Sequence, residues 1–230
     1  VDGRFYRSTE FKNVIVTTIF AAAHVLILVA STDLGGALLF FVTYLVMIYV
    51  ATKKSVYCLM GIGGGCVAGV LAYNLFSHVR IRVMAWTDPW SCIDNEGYQI
   101  TQSLFAIGSG GWFGLGLFKG TPSSIPDVES DFVFSAVTEE LGLIFAMCLI
   151  LVCLSCFIMC MNIAVKLQDK FYQLVAFGLG VTYVFQILLT IGGGTKFIPL
   201  TGVTLPFVSY GLTSVMSLYI GMGFVLNVRL

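Results

Sequence analysis

Apolar residues fall along this chain in long unbroken runs, not in the short alternations of a soluble domain. Six runs meet or approach the roughly 20 residues a helix needs to cross a bilayer: residues 14–30, 34–51, 56–76, 141–165, 171–191 and 205–228. The pattern predicts an all-α fold, a polytopic transmembrane helix bundle of about six spans. Between the third and fourth runs lies a polar stretch, residues 78–131, too long for a simple turn. It is expected to form a structured loop with short amphipathic helices, and it carries most of the polar chemistry.

Composition agrees with this reading. Of 230 residues, 58% are hydrophobic and 10% charged, whereas a soluble domain carries roughly 25% charged residues. The net charge is zero, from 12 basic and 12 acidic residues, which leaves no electrostatic footprint for nucleic acid. Placement of the charges matters more than their sum. With six spans both ends share a side, and that side holds Arg4, Arg7, Lys12, Lys53, Lys54, Lys166, Lys170 and Arg229. Arg80, Arg82, Lys119 and Lys196 fall on the other. Basic residues accumulate on the cytoplasmic side, so the termini are expected there, with the 78–131 loop facing outward. Residues 1–12 are polar, begin without Met and lack the apolar core of a signal peptide; they read as a cut made inside a longer chain.

Six of the seven cysteines lie in apolar runs, and Cys92 is alone in a polar loop. No loop disulfide pair is available, and the four at 148–160 lack His or acidic neighbours for a metal site, so they read as small packing residues. The glycine runs near 61–65, 108–111 and 192–194 precede no Lys-Ser or Lys-Thr pair, which argues against a nucleotide-cradling loop.

The candidate chemistry gathers on the outer side. In residues 123–142 a proline is followed by Asp127, Glu129 and Asp131, and then by an apolar helix bearing Glu139 and Glu140. A helix starting at Asp131 would carry Thr138 and Glu139 on roughly its face, with Glu140 turned away. Acidic groups so near the lipid usually face a cavity, yet Asp131 reads equally as a helix N-cap. In residues 97–116, Gln99, Gln102 and Ser103 line one helical face. That segment is either an amphipathic helix at the membrane surface or a packed re-entrant segment. Arg80, Arg82 and Lys196 can meet phosphate oxygens, or they can simply extend to the headgroups. Asp33 is placed to cap the second span, and His24 reads as a buried hydrogen-bonding group.

These residues occur in an ordered series of motifs. Asp33-Leu-Gly-Gly-Ala37, Arg82 with Asp88-Pro89, the Tyr-Gln and Gly-Ser-Gly-Gly stretch of 98–116, the Asp-Phe and Glu-Glu-Leu-Gly stretch of 126–142 and the Pro-Phe-Val-Ser-Tyr-Gly stretch of 199–214 follow one another. In that order they resemble the motifs of the SEDS family (shape, elongation, division and sporulation; RodA, FtsW and SpoVE). Leu115, Asp127, Ser130 and Leu212-Thr213 depart from the family pattern, and Glu129 sits where the family varies. Family members usually have about ten spans, so residues 1–230 would correspond to a C-terminal membrane portion, with residues 78–131 as its extracellular catalytic loop.

The resemblance implies a peptidoglycan glycosyltransferase of the bacterial cytoplasmic membrane. It would polymerise lipid II by inverting transfer, from a glycan on undecaprenyl pyrophosphate to the 4-hydroxyl of an incoming GlcNAc. It implies Asp131 as the essential carboxylate. Arg80, Arg82, Gln102, Ser103, Ser109, Lys196, Ser209 and Tyr210 are the candidates to contact substrate, with Glu129, Glu139, Glu140 and Asp33 as supporting acids. A divalent cation, magnesium or manganese, can share the neutralisation of pyrophosphate with the basic residues, and no organic cofactor is expected. The expected partner is a class B penicillin-binding protein, a transpeptidase. Two other readings stand beside this one, a lipid II flippase and a non-catalytic scaffold for the transpeptidase. The charges cluster on the outer side and not at mid-membrane, which favours chemistry over transport.

Overall fold

The structure, a computed structural model, describes residues 3–95 and 97–228, with side chains for 11–95 and 97–227. The side chains of Arg4 and Arg7, together with Glu96 and Arg229, lie outside the described residues. Within them the chain is all-helical: α1 (Gly3–Ala30), α2 (Leu34–Thr52), α3 (Ser55–Leu75), α4 (Ser77–Thr87), α5 (Tyr98–Gly110), α6 (Val133–Lys166), α7 (Lys170–Gly194) and α8 (Leu212–Val228). A single 3-10 turn, Pro122–Ser124, interrupts the loop after α5.

Five helices are long and apolar enough to cross a membrane, α1, α2, α3, α6 and α7, and α8 is a shorter apolar helix. The sequence places the start of the sixth run at residue 205. Its helix begins at Leu212, because Leu205 to Gly211 fold instead into a loop whose Leu205 and Pro206 are buried. The spans start and stop where local chemistry directs. The Asp33 carboxylate accepts the Gly36 N–H at 2.8 Å and caps α2, as its position in the sequence predicts. Lys53 ends α2 with φ of 55°, and Asp169 caps α7 by accepting the Phe171 N–H.

α7 is the most deeply packed span, with α2 on one flank and α6 on another. Its core includes Tyr183 and Ile187 with Cys153 of α6 and Leu205. All seven cysteines are free, and Cys153 and Cys160 are buried in helix packing, in keeping with the packing role. A separate apolar cluster, Ala106, Ile125 and Phe132 with Val128 and Leu200, sits beyond the spans. It is the core of the region between α4 and α6. The end of α8 meets the start of α7 where the Phe224 ring packs beside Tyr172, while Thr201 lies against Gly35 at the start of α2. Asp33, the 76–132 region and the 195–211 loop therefore share one end of the bundle, and Lys166 and Lys170 occupy the other.

α6 is not one straight helix. Gly142 has φ 87° and ψ 168°, and the break divides an end segment, 133–141, from the long span below it. Two α-helical bonds are lost there, from the N–H groups of Leu143 and Ile144 to the carbonyls of Glu139 and Glu140. The 111–116 loop takes up both halves. Leu143 and Ile144 donate to Gly111 and Trp112, while Leu115 and Gly116 donate to Glu139 and Glu140, at 2.9–3.3 Å. The two backbones approach so closely that a Cβ on Gly114 would lie 2.6 Å from the Gly142 nitrogen. Buried backbone groups must be paired, and here a loop completes the accounting for a broken helix.

Candidate active site

Asp131 lies two residues before α6 and does not cap it. The N-cap position is Phe132, which makes no side-chain cap bond. The N-cap reading of Asp131 is therefore set aside, because Phe132 must bury itself against Ala106 and Ile125 and in doing so fixes where the helix can start. Asp131 is partly exposed, in a tight turn where its N–H and that of Ser130 both bond to the Asp127 carbonyl. Asp127 holds φ of 55° and its carboxylate accepts from Gln99 of α5 at 3.3 Å.

The same turn is pinned from the far end of the chain. The Ser209 hydroxyl donates to the Ser130 carbonyl and accepts the Leu205 N–H at 2.8 Å, and the Tyr210 N–H bonds to the Glu129 carbonyl at 2.8 Å. Gly202 stands beside the carboxylate itself: a Cβ there would lie 3.6 Å from Asp131 Oδ2. Arg82 reaches that loop from α4, donating through Nη1 to the carbonyls of Leu200 at 3.3 Å and Thr201 at 3.1 Å. Trp86 donates to the Lys196 carbonyl, and the Thr190 hydroxyl of α7 donates to Val203.

Electrostatically, burial raises the Asp131 carboxyl above the usual aspartate range. Ser130 opposes that shift, Asp127 adds to it, and the nearby Arg82 charge opposes it again. Burial penalises the charged form, and a raised pKa makes the carboxylate a stronger proton acceptor at neutral pH.

The other candidates divide clearly. Arg82, Ser209, Tyr210 and Glu129 converge on the Asp131 turn. Lys196 and Asp33 belong to the same end of the bundle, with Asp33 exposed and occupied as a cap. Arg80 turns the other way, donating to the Asn74 carbonyl and lying over the Tyr73 ring at the end of α3. Ser103 is buried, its hydroxyl bonded to Gly194 and paired with that of Ser135. Gln102 is half-buried on α5, and Ser109 bonds back to Ala106 within its own helix. Glu139 and Glu140 turn to the loop beside them: Glu139 Oε1 accepts the Thr121 N–H and Glu140 Oε1 the Phe118 N–H. α5 is thus the packed segment and not a surface-lying amphipathic helix, with Thr101 and Ser103 buried and Phe105 exposed.

The sequence pattern marks Asp127 and Gln99 only as members of polar stretches, without a site role, and Gly202 not at all; Asp127 acts on the Asp131 charge, Gln99 holds Asp127, and Gly202 abuts the carboxylate. Among the described residues no three His, Cys or acidic side chains converge to hold a metal ion. Clefts at the opposite end of the bundle, around Asp169 and Tyr172 and around Asn162 and Lys166, are wide open gaps between helix ends that do not touch Asp131.

Residues 4–230 match the FtsW/RodA/SpoVE family, described as cell cycle protein. The chain is 39% identical over 194 residues to the peptidoglycan glycosyltransferase RodA of Mycobacterium tuberculosis, covering 84% of this chain and 41% of that protein. It is 34% identical over 207 residues to the stage V sporulation protein E of Bacillus subtilis, covering 88% of this chain and 56% of the relative. The chain thus spans about two fifths of the length of the RodA proteins it matches. Among solved structures it resembles a chain from a peptidoglycan synthase complex that coordinates polymerization and crosslinking, with TM-score 0.75, 26% identity, and coverage of 92% of this chain and 60% of that one.

Proposed function

Because this chain belongs to the FtsW/RodA/SpoVE family of cell cycle proteins, and is a multi-pass membrane protein, we propose that it forms part of a peptidoglycan glycosyltransferase with Asp131 as general base. The reaction joins the 4-hydroxyl of the GlcNAc of lipid II to the anomeric carbon of a glycan carried on undecaprenyl pyrophosphate. Asp131 accepts the hydroxyl proton as the new glycosidic bond forms and the bond to pyrophosphate breaks, with inversion from α to β. Undecaprenyl pyrophosphate leaves as an anion, so no paired general acid is required.

The observation that carries this reading is the state of the Asp131 carboxyl. It caps nothing, is partly open, has a raised proton affinity, and sits on a turn braced from α5 and from the 205–211 loop. Its neighbours supply the remaining needs. Arg82 stands close enough to act on its charge and leaves N–H groups beyond the two carbonyl bonds of Nη1 for a phosphate oxygen. A magnesium or manganese ion fits only as a partner of substrate, since protein sites for Mg²⁺ commonly offer one or two carboxylates and leave phosphate oxygens to complete the shell. Asp127 and Asp131 are the pair that would hold it, and it would supply charge neutralisation on the leaving group.

We place the Asp131 end of the bundle on the outer face of the bacterial cytoplasmic membrane, following the basic residues at the other end. We take a class B penicillin-binding transpeptidase as the partner. The test is polymerisation of purified lipid II by the full-length protein. Asp131→Asn is expected to abolish glycan product while the protein remains monodisperse; unchanged rate and product length would remove Asp131 from the mechanism. A scaffold or flippase predicts no glycan product from the parent protein itself.

A further inference from the structure

One exposed feature plays no part in the chemistry at Asp131. Between α5 and the 3-10 turn, Trp112, Phe113, Leu115, Leu117 and Phe118 are 64, 84, 43, 60 and 93% exposed, five large apolar side chains within seven positions. An apolar cluster this dense marks a surface made to be covered.

The backbone beneath it is held rigidly. The four bonds exchanged with the α6 break fix residues 111–116, and Glu140 and Glu139 hold Phe118 and Thr121 by their N–H groups. Those bonds also set the depth of the loop. The carbonyls of Gly111 and Trp112 meet the N–H groups of Leu143 and Ile144, so the loop lies level with the first turn of α6 below its break. That turn points Ile144, Phe145 and Met147 outward, at 46, 48 and 53% exposure, on the most apolar of the spanning helices. The loop and the lipid-facing side of α6 thus form one continuous apolar surface.

Irregular backbone is tolerated at hydrocarbon depth as far as its polar groups are bonded within the protein, and the exchange with α6 pairs the carbonyls of Gly111 and Trp112 and the N–H groups of Leu115 and Gly116. A protein-docking patch carries polar groups around its apolar centre. Here the residues interleaved with the cluster are Gly114 and Gly116, and the exposed Lys119 follows it, a side chain suited to reach the headgroups.

From this we infer that residues 112–118 form a wedge inserted among the acyl chains of the leaflet on the Asp131 side. The wedge rests on α6 crossing the membrane, independently of glycosyl transfer. It fixes the height of the 119–132 segment, and with it the distance from Asp131 to the bilayer.

The test is tryptophan fluorescence of the full-length protein in phosphatidylcholine vesicles whose acyl chains carry bromine at chosen depths. The emission lost in Trp112→Phe isolates the Trp112 signal. That signal is expected to be largely quenched by brominated chains and insensitive to aqueous iodide. Quenching by iodide without quenching by lipid overturns the inference, and so does a signal insensitive to both, which a protein-covered face would give. Should Trp112→Phe fail to fold, Phe118→Trp in the native background adds a reporter read the same way.

Discussion

Replacing Gly142 by alanine tests whether the α6 break and the 111–116 loop are a single unit. A Cβ at Gly142 would lie 2.5 Å from the Trp112 carbonyl oxygen and overlap the Gly114 nitrogen. Both are backbone atoms, so no side chain can rotate aside. If the loop stays, alanine must hold φ 87° and ψ 168°, a conformation costing about 1–3 kcal/mol in a residue with a Cβ. If the loop leaves, four backbone bonds go. A straightened helix restores two, a net loss of about 2 kcal/mol at about 1 kcal/mol each. The freed carbonyls and N–H groups then face an apolar setting, at about 1–3 kcal/mol for each one left unpaired.

The first route must add relief of the backbone overlap to its strain, and the second comes to about 3–5 kcal/mol with a single group left unpaired, a large part of the roughly 5–15 kcal/mol of net stability of a folded protein. At about 2–4 °C per kcal/mol for a chain of this size, the thermal midpoint in detergent should fall by roughly 10 °C. Gly114→Ala should do the same, since its Cβ would lie 2.6 Å from the Gly142 nitrogen. The double variant should cost little more than the worse single one, because both break the same contact. Gly63→Ala is the control: its α3 site has no neighbour within 4 Å of a Cβ, and alanine there should be neutral or stabilising by about 0.5–1 kcal/mol. A Gly142→Ala midpoint within about 2 °C of the parent, or strict additivity with Gly114→Ala, would refute the reasoning, since 1 kcal/mol already moves the midpoint by about that much.

Burial raises the Asp131 pKa above its unfolded value, so the native state holds the proton more tightly, and stability contributed by this group falls as pH rises through that window. Asp131→Asn should therefore match or exceed the parent midpoint at neutral pH while losing polymerisation; a clear drop in midpoint contradicts this. The acid limb of the polymerisation rate should lie above the ordinary aspartate range. It should move to lower pH in Asp127→Asn, which removes a like charge, and to higher pH in Arg82→Gln, which removes an opposing one; shifts of the opposite sign would overturn this account of Asp131. Ser209→Ala leaves the Leu205 N–H and the Ser130 carbonyl without their partner, a cost of about 1–3 kcal/mol. It should lower kcat more than lipid II affinity, and a change in KM alone would show that Ser209 touches substrate instead of positioning the turn.

The spans were legible because hydropathy alone selects them, and Asp33 because a cap is a local matter. The departures arose where tertiary contacts override local pattern. α5 carries small polar residues on one face, which near a membrane reads as a surface toward water. In the folded chain Thr101 and Ser103 are buried alongside Ile100 and Ala106, with the Ser103 hydroxyl bonded to Gly194 and paired with Ser135, while Phe105 is exposed, so polar and apolar side chains share the buried face. Glu139 and Glu140 read in the sequence as acids facing a cavity. They lie within α6, one turn above its break, and their side chains hold a loop 18–22 residues earlier in the chain. No periodicity announces that exchange; only glycines at 114 and 142 hint that two backbones must meet. The neighbours of Asp131 come from residues 82, 127 and 202, and which carboxylate in an acidic stretch stands free is decided by those distant contacts.

The 199–203 loop explains how such dispersed residues make one site. Gly35 of α2 lies against the Thr201 carbonyl, Arg82 of α4 takes the carbonyls of Leu200 and Thr201, Thr190 of α7 takes that of Val203, and Leu200 joins the core under Phe132. Gly202, at the centre of these attachments, is the residue that abuts Asp131. A carboxylate on a surface turn would normally be well hydrated and have an ordinary pKa. Here its desolvation is imposed by a loop that three helices hold in place, so its proton affinity is a property of how α2, α4 and α7 meet. Changes that loosen the attachments at Gly35, Thr190 or Leu200 should act on Asp131 in the same direction, toward more water and a lower pKa, even though those residues carry no charge; Arg82 differs, because its removal also takes away an opposing charge.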